Sequence, residues 1–173
     1  MNPLSWFSRS TFYVRFDAST CSVVHTRTHA ELRQKPLVAT RPGKGGLAVV
    51  VALGDDVQGL DDTTVTVVNP FGHERLVVHA FEHAQVLLRW AVARAAGTAV
   101  ITRPVLVLHP LRALASGLTD VERRALLECA HAAGARHAVV HTGAELSLVE
   151  VDRLAGRARI PPPPPQGPAA ITH

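Results

Sequence analysis

Ten histidines, two cysteines and 14 acidic residues are the side chains of this sequence that could ligate a metal, act as a nucleophile or move a proton. His79 and His83 stand four apart in a segment of helical periodicity, with Glu82 between them. Zinc protease chemistry needs its glutamate directly after the first histidine, and a third ligand elsewhere. Ala80 follows His79 here and no third partner is evident, so satisfied or surface histidines are expected instead of a metal site. His137 and His141 are also four apart, but on a strand that spacing is about 13 Å, too far for one ion. Cys129 and His131 are two apart on a helical segment and point to different faces. There is no Gly-x-Ser-x-Gly elbow and no phosphate-loop spacing; Arg41-Pro42-Gly43-Lys44-Gly45-Gly46 is basic and glycine-rich but reads as a hairpin turn. The expectation is a protein with no catalytic residues, no metal and no cofactor, hence not an enzyme.

Two cysteines, Cys21 and Cys129, cannot make a disulfide framework and read as reduced thiols of a cytoplasmic protein. The chain has 173 residues, 47% hydrophobic and 18% charged, which suits one folded domain. The net charge is +4, but the arginines run from Arg9 to Arg159 interleaved with acids, and only Arg123-Arg124 are adjacent. A nucleic-acid binder gathers its charge on one face or in one run, so a solvated surface is expected and nucleic acid is not. No apolar run reaches the roughly 18 residues of a spanning helix, and MNPLSWFSRS lacks the parts of a signal peptide.

The elements that must position any site follow from periodicity. Phe12–Asp17 and Thr20–Thr26 read as a β-hairpin, Leu37–Thr40 as a short strand, and Thr63–Val68 as another. Leu47–Leu53 is an unbroken apolar run, the pattern of a strand buried on both faces. A helix is expected from about His79 to Ala96, stopped by Gly97, and a second from Thr119 to about Ala133. Thr119 and Glu122 form a capping box for the second, Val121, Ala125, Ala130 and Ala133 are its expected buried side, and Gly134 is placed to end it. Val105–Leu108 and His137–His141 are strands, so the second half alternates helix and strand in an α/β arrangement. The expected core includes Val50, Leu53, Phe81, Leu88, Val107, Val121, Ala130 and Val139.

With these elements in order, Gly117–Arg136 (GLTDVERRALLECAHAAGAR) resembles a stretch of the bacterial actin MreB family: Gly, a hydrophobic residue, Thr, then V-E-R-R-A and A-G-A-R. Val68–Leu88 is similar to the family's segment of proline, loop, "V-I-A-D-F-E" and amphipathic helix, and Leu47–Val57 to its "A-V-G-E-E-A" strand and turn. The likeness covers roughly residues 12 to 145 and only the family's amino-terminal domain. It implies an α/β fold, a single actin-like (ribonuclease-H-like) domain with a mixed sheet and flanking helices. In that superfamily two glycine-containing hairpins, one per domain, clamp the phosphates of ATP through backbone amides. The first hairpin here reads Phe16-Asp17-Ala18-Ser19-Thr20. Asp17 falls on the family's metal-holding Asp, and Ser19 stands at its glycine. Asp17, Ser19 and Thr20 are therefore a vestigial nucleotide site, with Asp17 expected as a turn residue. The second hairpin has no counterpart in this sequence, and the family's acidic water-positioning residue maps near Thr142-Gly143, neither of which can act as a base.

Two ends complete the reading. Residues 1–11 form an amphipathic leader in which Leu4, Trp6 and Phe7 sit beside Arg9; many MreB proteins begin with a segment that inserts into the inner membrane face, and a terminus packed on the domain is the plainer alternative. Residues 12–156 form the domain. Residues 157–173, with Pro161–Pro165, form an extended proline-rich tail expected to be disordered, either trailing in solvent or a ligand for an aromatic-lined groove. The expected function is a non-catalytic partner, interaction or regulatory, in the bacterial cytoskeleton, cell shape or envelope assembly, binding an actin filament or an envelope-assembly protein, with a homodimer as a further option. It would be cytoplasmic and peripheral at the inner membrane. The alternative is a nucleotide-sensing module that binds ATP without hydrolysis and completes its site with another chain.

Overall fold

The computed structural model describes residues 10–60, 63–98, 103–112 and 117–158. The leader residues Leu4, Trp6 and Phe7 and the prolines Pro161–Pro165 lie outside the described residues.

Alternation with period two builds the main sheet. Strand β1 (Thr11–Phe16) pairs antiparallel with β2 (Cys21–His25), and β2 with β3 (Glu31–Gln34). Strands β4 (Val38–Pro42), β5 (Ala48–Leu53) and β6 (Thr66–Val68) follow, and the chain returns as β7 (Val105–Pro110) beside β1 and β8 (His137–Val140) beside β7, both parallel. The sheet order is β3-β2-β1-β7-β8. Phe12, Val14, Phe16, Cys21, Val23, Leu106 and Leu108 point to one face, where helices α1 (Phe81–Ala96) and α2 (Asp120–Ala132) cover them. Tyr13, Val24, Val105 and Val107 point to the other, against Val151 and Ala155 of helix α3 (Leu148–Ala158). The sheet thus has helices on both faces, and β7 is buried along its whole length.

Helix α2 is specified at both ends. Thr119 Oγ1 accepts from the Glu122 amide, and the Glu122 carboxylate accepts from the Thr119 amide. At the other end Gly134, with φ 101°, donates to the His131 carbonyl while Ala135 donates to that of Ala130, a Schellman motif that turns the chain into β8. The buried stripe agrees with the expected one at Ala130 and Ala133 and departs from it at Val121 and at the half-buried Ala125. It comprises Leu126, Cys129 and Ala130, while Val121 is 78% exposed. Counting back one turn from Leu126 gives Glu122 and Arg123, and these fill the first turn with polar bonds: Glu122 in the cap, Arg123 Nη1 to the Val140 carbonyl. Helix α3 was not expected, though Ser147 and Glu150 repeat the same capping pattern. It runs through Arg157 and Ala158, two residues into the stretch assigned to the tail.

Strand β5 overturns a second expectation. It lies at the edge of a separate three-stranded sheet of order β5-β4-β6, with Val49 and Val50 exposed and Val51 and Leu53 half-buried. An unbroken apolar run signals two buried faces only in a central strand, and β4 holds that place here, with Val38 and Ala39 fully buried. Of the remaining core expectations, Leu88, Val107 and Ala130 are fully buried, and Phe81 and Val139 half-buried. The small sheet joins the body at Gly54, whose amide donates to the Leu37 carbonyl with φ 68°, and where an added Cβ would lie 2.7 Å from Gln34 and from the Trp90 ring.

The two candidate positions on α2 separate by experiment. Leu126→Ala should cost about 2–5 kcal/mol of unfolding free energy, while Val121→Ala should stay within about 0.5 kcal/mol, both read by urea denaturation.

Candidate functional site

Strands β1, β7 and β8 run parallel, so their carboxyl ends meet along one edge of the sheet, the place where open α/β folds bind ligands. The chain leaves β1 at Asp17, β7 at Leu111-Arg112 and β8 at His141-Thr142-Gly143. Two clefts follow this edge. One, of about 440 Å³, lies between the Asp17-Ala18-Ser19 turn, Gly72, Glu74 and Arg112. The other, of about 240 Å³, lies between Pro110, Arg112, Gly117, Thr142 and Gly143.

The turn holds Asp17, Ser19 and Thr20 together, but aimed inward. Asp17 Oδ1 accepts from the Ser19 amide at 2.7 Å, the Ser19 hydroxyl at 2.7 Å and the Thr20 amide at 2.8 Å. The Asp17 amide donates to the Thr20 carbonyl at 2.9 Å, closing the hairpin. Partial burial opposes ionisation of Asp17, but the bonds from Ser19 and Thr20, with the charge of Arg33, prevail and hold its carboxyl below the ordinary 3.8. The non-glycine residues of positive φ are His29 and Arg103 among the described residues, so neither Ala18 nor Ser19 needs the left-handed backbone that favours glycine. These residues do not fit a phosphate clamp. The two amides that would face a phosphate already donate to a carboxylate, and that carboxylate would repel the phosphate.

One bond ties the turn to the neighbouring loop, and a second group of bonds lies beside it. Asn69 Nδ2 donates to the Ala18 carbonyl at 2.6 Å, and the Arg112 guanidinium donates to the carbonyls of His73 and Glu74. Sequence reasoning missed Asn69, Gly72, Glu74 and Arg112. Arg112 alone carried a signal, since it follows directly on a buried parallel strand. Thr142 and Gly143 are exposed, as the loop after β8 requires. The nearest acid in sequence, Glu145, is turned to the other side of the sheet in an ion pair with Arg15, which also meets Glu31 at 3.1 Å.

That other side carries a buried polar chain. His109 Nε2 lies 3.1 Å from the Gly143 carbonyl, which can only accept, so this nitrogen donates. Nδ1 of the neutral ring then accepts from the Tyr13 hydroxyl at 2.5 Å, and that hydroxyl accepts from the Leu146 amide at 3.2 Å. Every polar atom of the chain is satisfied only while His109 is neutral. Burial pushes His109 below its ordinary 6.5; the Gly143 bond opposes this, and His141 and Arg15 reinforce it. His25 is lowered for the same first reason, with Arg27 adding to it against its own backbone and Asp152.

The histidine pairs sort differently from the sequence. His79 precedes α1, which begins at Phe81, so it does not share a helix with His83; its ring instead lies 5.6 Å from that of His73. Among the described residues no three His, Cys, Asp or Glu side chains are grouped to hold a metal ion. No described helix is long and apolar enough to cross a membrane.

This arrangement of strands, helices and edge recurs in solved structures. MreB5 of Spiroplasma citri bound to AMPPNP superposes with a TM-score of 0.61 at 19% identity, over 78% of this chain and 39% of that one. A non-polymerising A278D mutant of MamK bound to AMPPNP gives 0.60 at 19% identity, over 78% and 41%. The fold is actin-like. A MamK double helical filament matches at 0.57 and 18% identity, over 79% of this chain. The actin-like chain here spans about two fifths of the length of these proteins, 39% to 41%. No protein-family profile and no curated protein matches the sequence.

Two measurements check the site. Because His109 and His25 are depressed in the folded state, the unfolded chain binds more protons at low pH. Their contribution should be complete above pH 6.5, the ordinary histidine value, and be lost as pH falls through the lower folded values. The thermal midpoint should therefore drop between pH 7 and 5, and less steeply in His109→Asn. Burial pushes both the Cys21 and Cys129 thiols up to about 12, so neither should react with a disulfide reagent until the protein is denatured.

Proposed function

We propose that this chain is a non-catalytic actin-like protein that serves as an interaction or regulatory partner in the bacterial cytoskeleton, in cell-shape or envelope assembly. One observation carries the reading: Asp17 Oδ1 takes the Ser19 and Thr20 amides that a phosphate-binding hairpin would present to its nucleotide. The sequence adds Ser19 at the glycine position and Thr142-Gly143 at the position of the water-positioning acid. The actin-like fold, shared with a protein solved as a double helical filament, supports a filament-forming protein as the partner. Leu4, Trp6 and Phe7 would hold the complex at the inner membrane, since Trp and Phe partition well into that interface.

A second reading has one observation in its favour. The cleft of about 440 Å³ lies at the carboxyl end of parallel strands, and the MreB5 and MamK neighbours were solved with AMPPNP. In that reading the chain senses ATP without hydrolysing it, completing the site with another chain.

Purified protein should show no ATP turnover above a blank and should bind ATP–Mg²⁺ no better than about millimolar in isothermal titration. Micromolar affinity without turnover would favour the sensing reading, and turnover would end both. Tagged protein should lie along the envelope of its cell and become diffuse in the Trp6→Ala, Phe7→Ala double variant. A diffuse wild type that cross-links to no actin-like protein would refute the proposed partner.

A further inference from the structure

His109, near the end of β7, is 2% exposed, and Tyr13 beside it 1%. Neither lines the clefts at the carboxyl edge, yet together they hold the segment that walls one of them. Among the described residues, residues 142–147 meet the sheet through three polar contacts. These are the Gly143 carbonyl with His109 Nε2, the Leu146 amide with the Tyr13 hydroxyl, and Glu145 with Arg15. Two of the three depend on the Tyr13–His109 pair. The segment runs straight into α3 at Leu148, which packs with Val151 and Ala155 on the face of Tyr13, Val105 and Val107.

The bond directions leave no place for an added proton. With His109 neutral, each donor faces one acceptor: Nε2–H the Gly143 carbonyl, the Tyr13 hydroxyl the ring Nδ1, and the Leu146 amide the Tyr13 oxygen. A proton on Nδ1 sets two donors against each other across 2.5 Å. The hydroxyl proton must then turn toward the Leu146 amide, itself a donor. An imidazolium here is also a buried charge, which is costly without a partner. The surrounding elements do not supply one. Arg15 of β1, opposite His109 in register and over the Tyr13 ring, adds a second cation, and Glu31 of β3 and Glu145 are engaged with it. The ring of His141, just after β8, meets that of His109 edge-on at 4.8 Å and brings only positive charge when it titrates. On α3, Glu150 is held by Ser147 and Asp152 by Thr26.

We propose that the Tyr13–His109–Gly143 chain is an acid-released latch, in which protonation of His109 frees residues 142–147 and helix α3 from the sheet. The core under α1 and α2 lies on the opposite face and stays folded. Release uncovers Tyr13, Val105 and Val107 and removes the Thr142–Gly143 wall of the smaller cleft. Burial holds His109 below its ordinary 6.5 while the latch is closed, so the closed form is favoured above pH 6.5 and is lost as pH falls through the lower value. The latch is independent of the proposed partner and of nucleotide binding.

Thiol labelling of the full chain tests it. Val151 is fully buried under α3, so Val151→Cys places a thiol where only release exposes it. Dithiodipyridine, which reacts with thiols in acid, should label it about tenfold or more faster at pH 5 than at pH 7, each rate taken relative to the denatured chain. Cys21 and Cys129, in the opposite core, should stay protected at both pH values. His109→Gln keeps a donor and an acceptor but takes up no proton, and should abolish the acceleration. In the wild type, the imidazole NMR signals of His109 should titrate with the same midpoint as the labelling, which needs no variant at His109. Equal protection at both pH values, labelling of Cys21 and Cys129 in step with the introduced thiol, an unchanged acceleration in His109→Gln, or a separate His109 midpoint would each overturn the proposal.

Discussion

The parallel pairing of β1 with β7 is the contact on which everything else rests. It joins Thr11 to Val105 and Phe16 to Pro110, residues more than ninety apart, in a register that buries β7 completely. Parallel strands need a crossover between them, and α1 supplies it on the face where Phe12, Val14 and Phe16 point. A shift of one residue would turn those aromatic rings toward α3 and Tyr13 toward α1. The same register sets His109 opposite Arg15, two residues on from Tyr13, so that the Tyr13 hydroxyl reaches His109 Nδ1 at 2.5 Å and the polar chain ties β7 to the loop after β8.

That register also delivers the Asp17 turn to the edge where Arg112 and Gly143 emerge. The place is one where a ligand is expected from topology, but the chemistry at it is closed on itself. Asp17 and its three donors make a complete turn, Asn69 braces it from outside, and Arg112 is occupied with the carbonyls of His73 and Glu74. The actin-like fold thus carries at this edge a hairpin arranged around a carboxylate.

The small sheet behaves differently from the body. The body has helices on both faces, so its apolar residues are spent on burial. The β5-β4-β6 sheet buries its middle strand and leaves the apolar side chains of β5 at a free edge, held to the rest through Gly54 and the buried Val38. Exposed surface of this kind points to association.

What the sequence determined by itself is local. β-Prone runs placed β1 and β2, and an unbroken apolar run placed β7. Thr119 with Glu122 started α2, Gly134 ended it, and the spacing of Ala84, Leu88, Ala91 and Ala95 gave the inner face of α1. These signals survive because each is a bond or a period within a few residues. Helix α3 was legible by the same rule from Ser147 and Glu150, whereas β3, with Leu32 its one apolar residue, exists because β2 offers it an edge. Tertiary structure alone decided which apolar residues are buried, since Val121 and Val50 carry the same hydrophobicity as Val107 but no element arrives to cover them. It alone decided that His109 is held neutral, because its partners Tyr13 and Gly143 are 96 and 34 residues away. Whether the Ser19 and Thr20 amides face outward or toward Asp17 was also not written in the residue types, since that depends on backbone direction in a turn that Asn69 and the strands on either side hold in place.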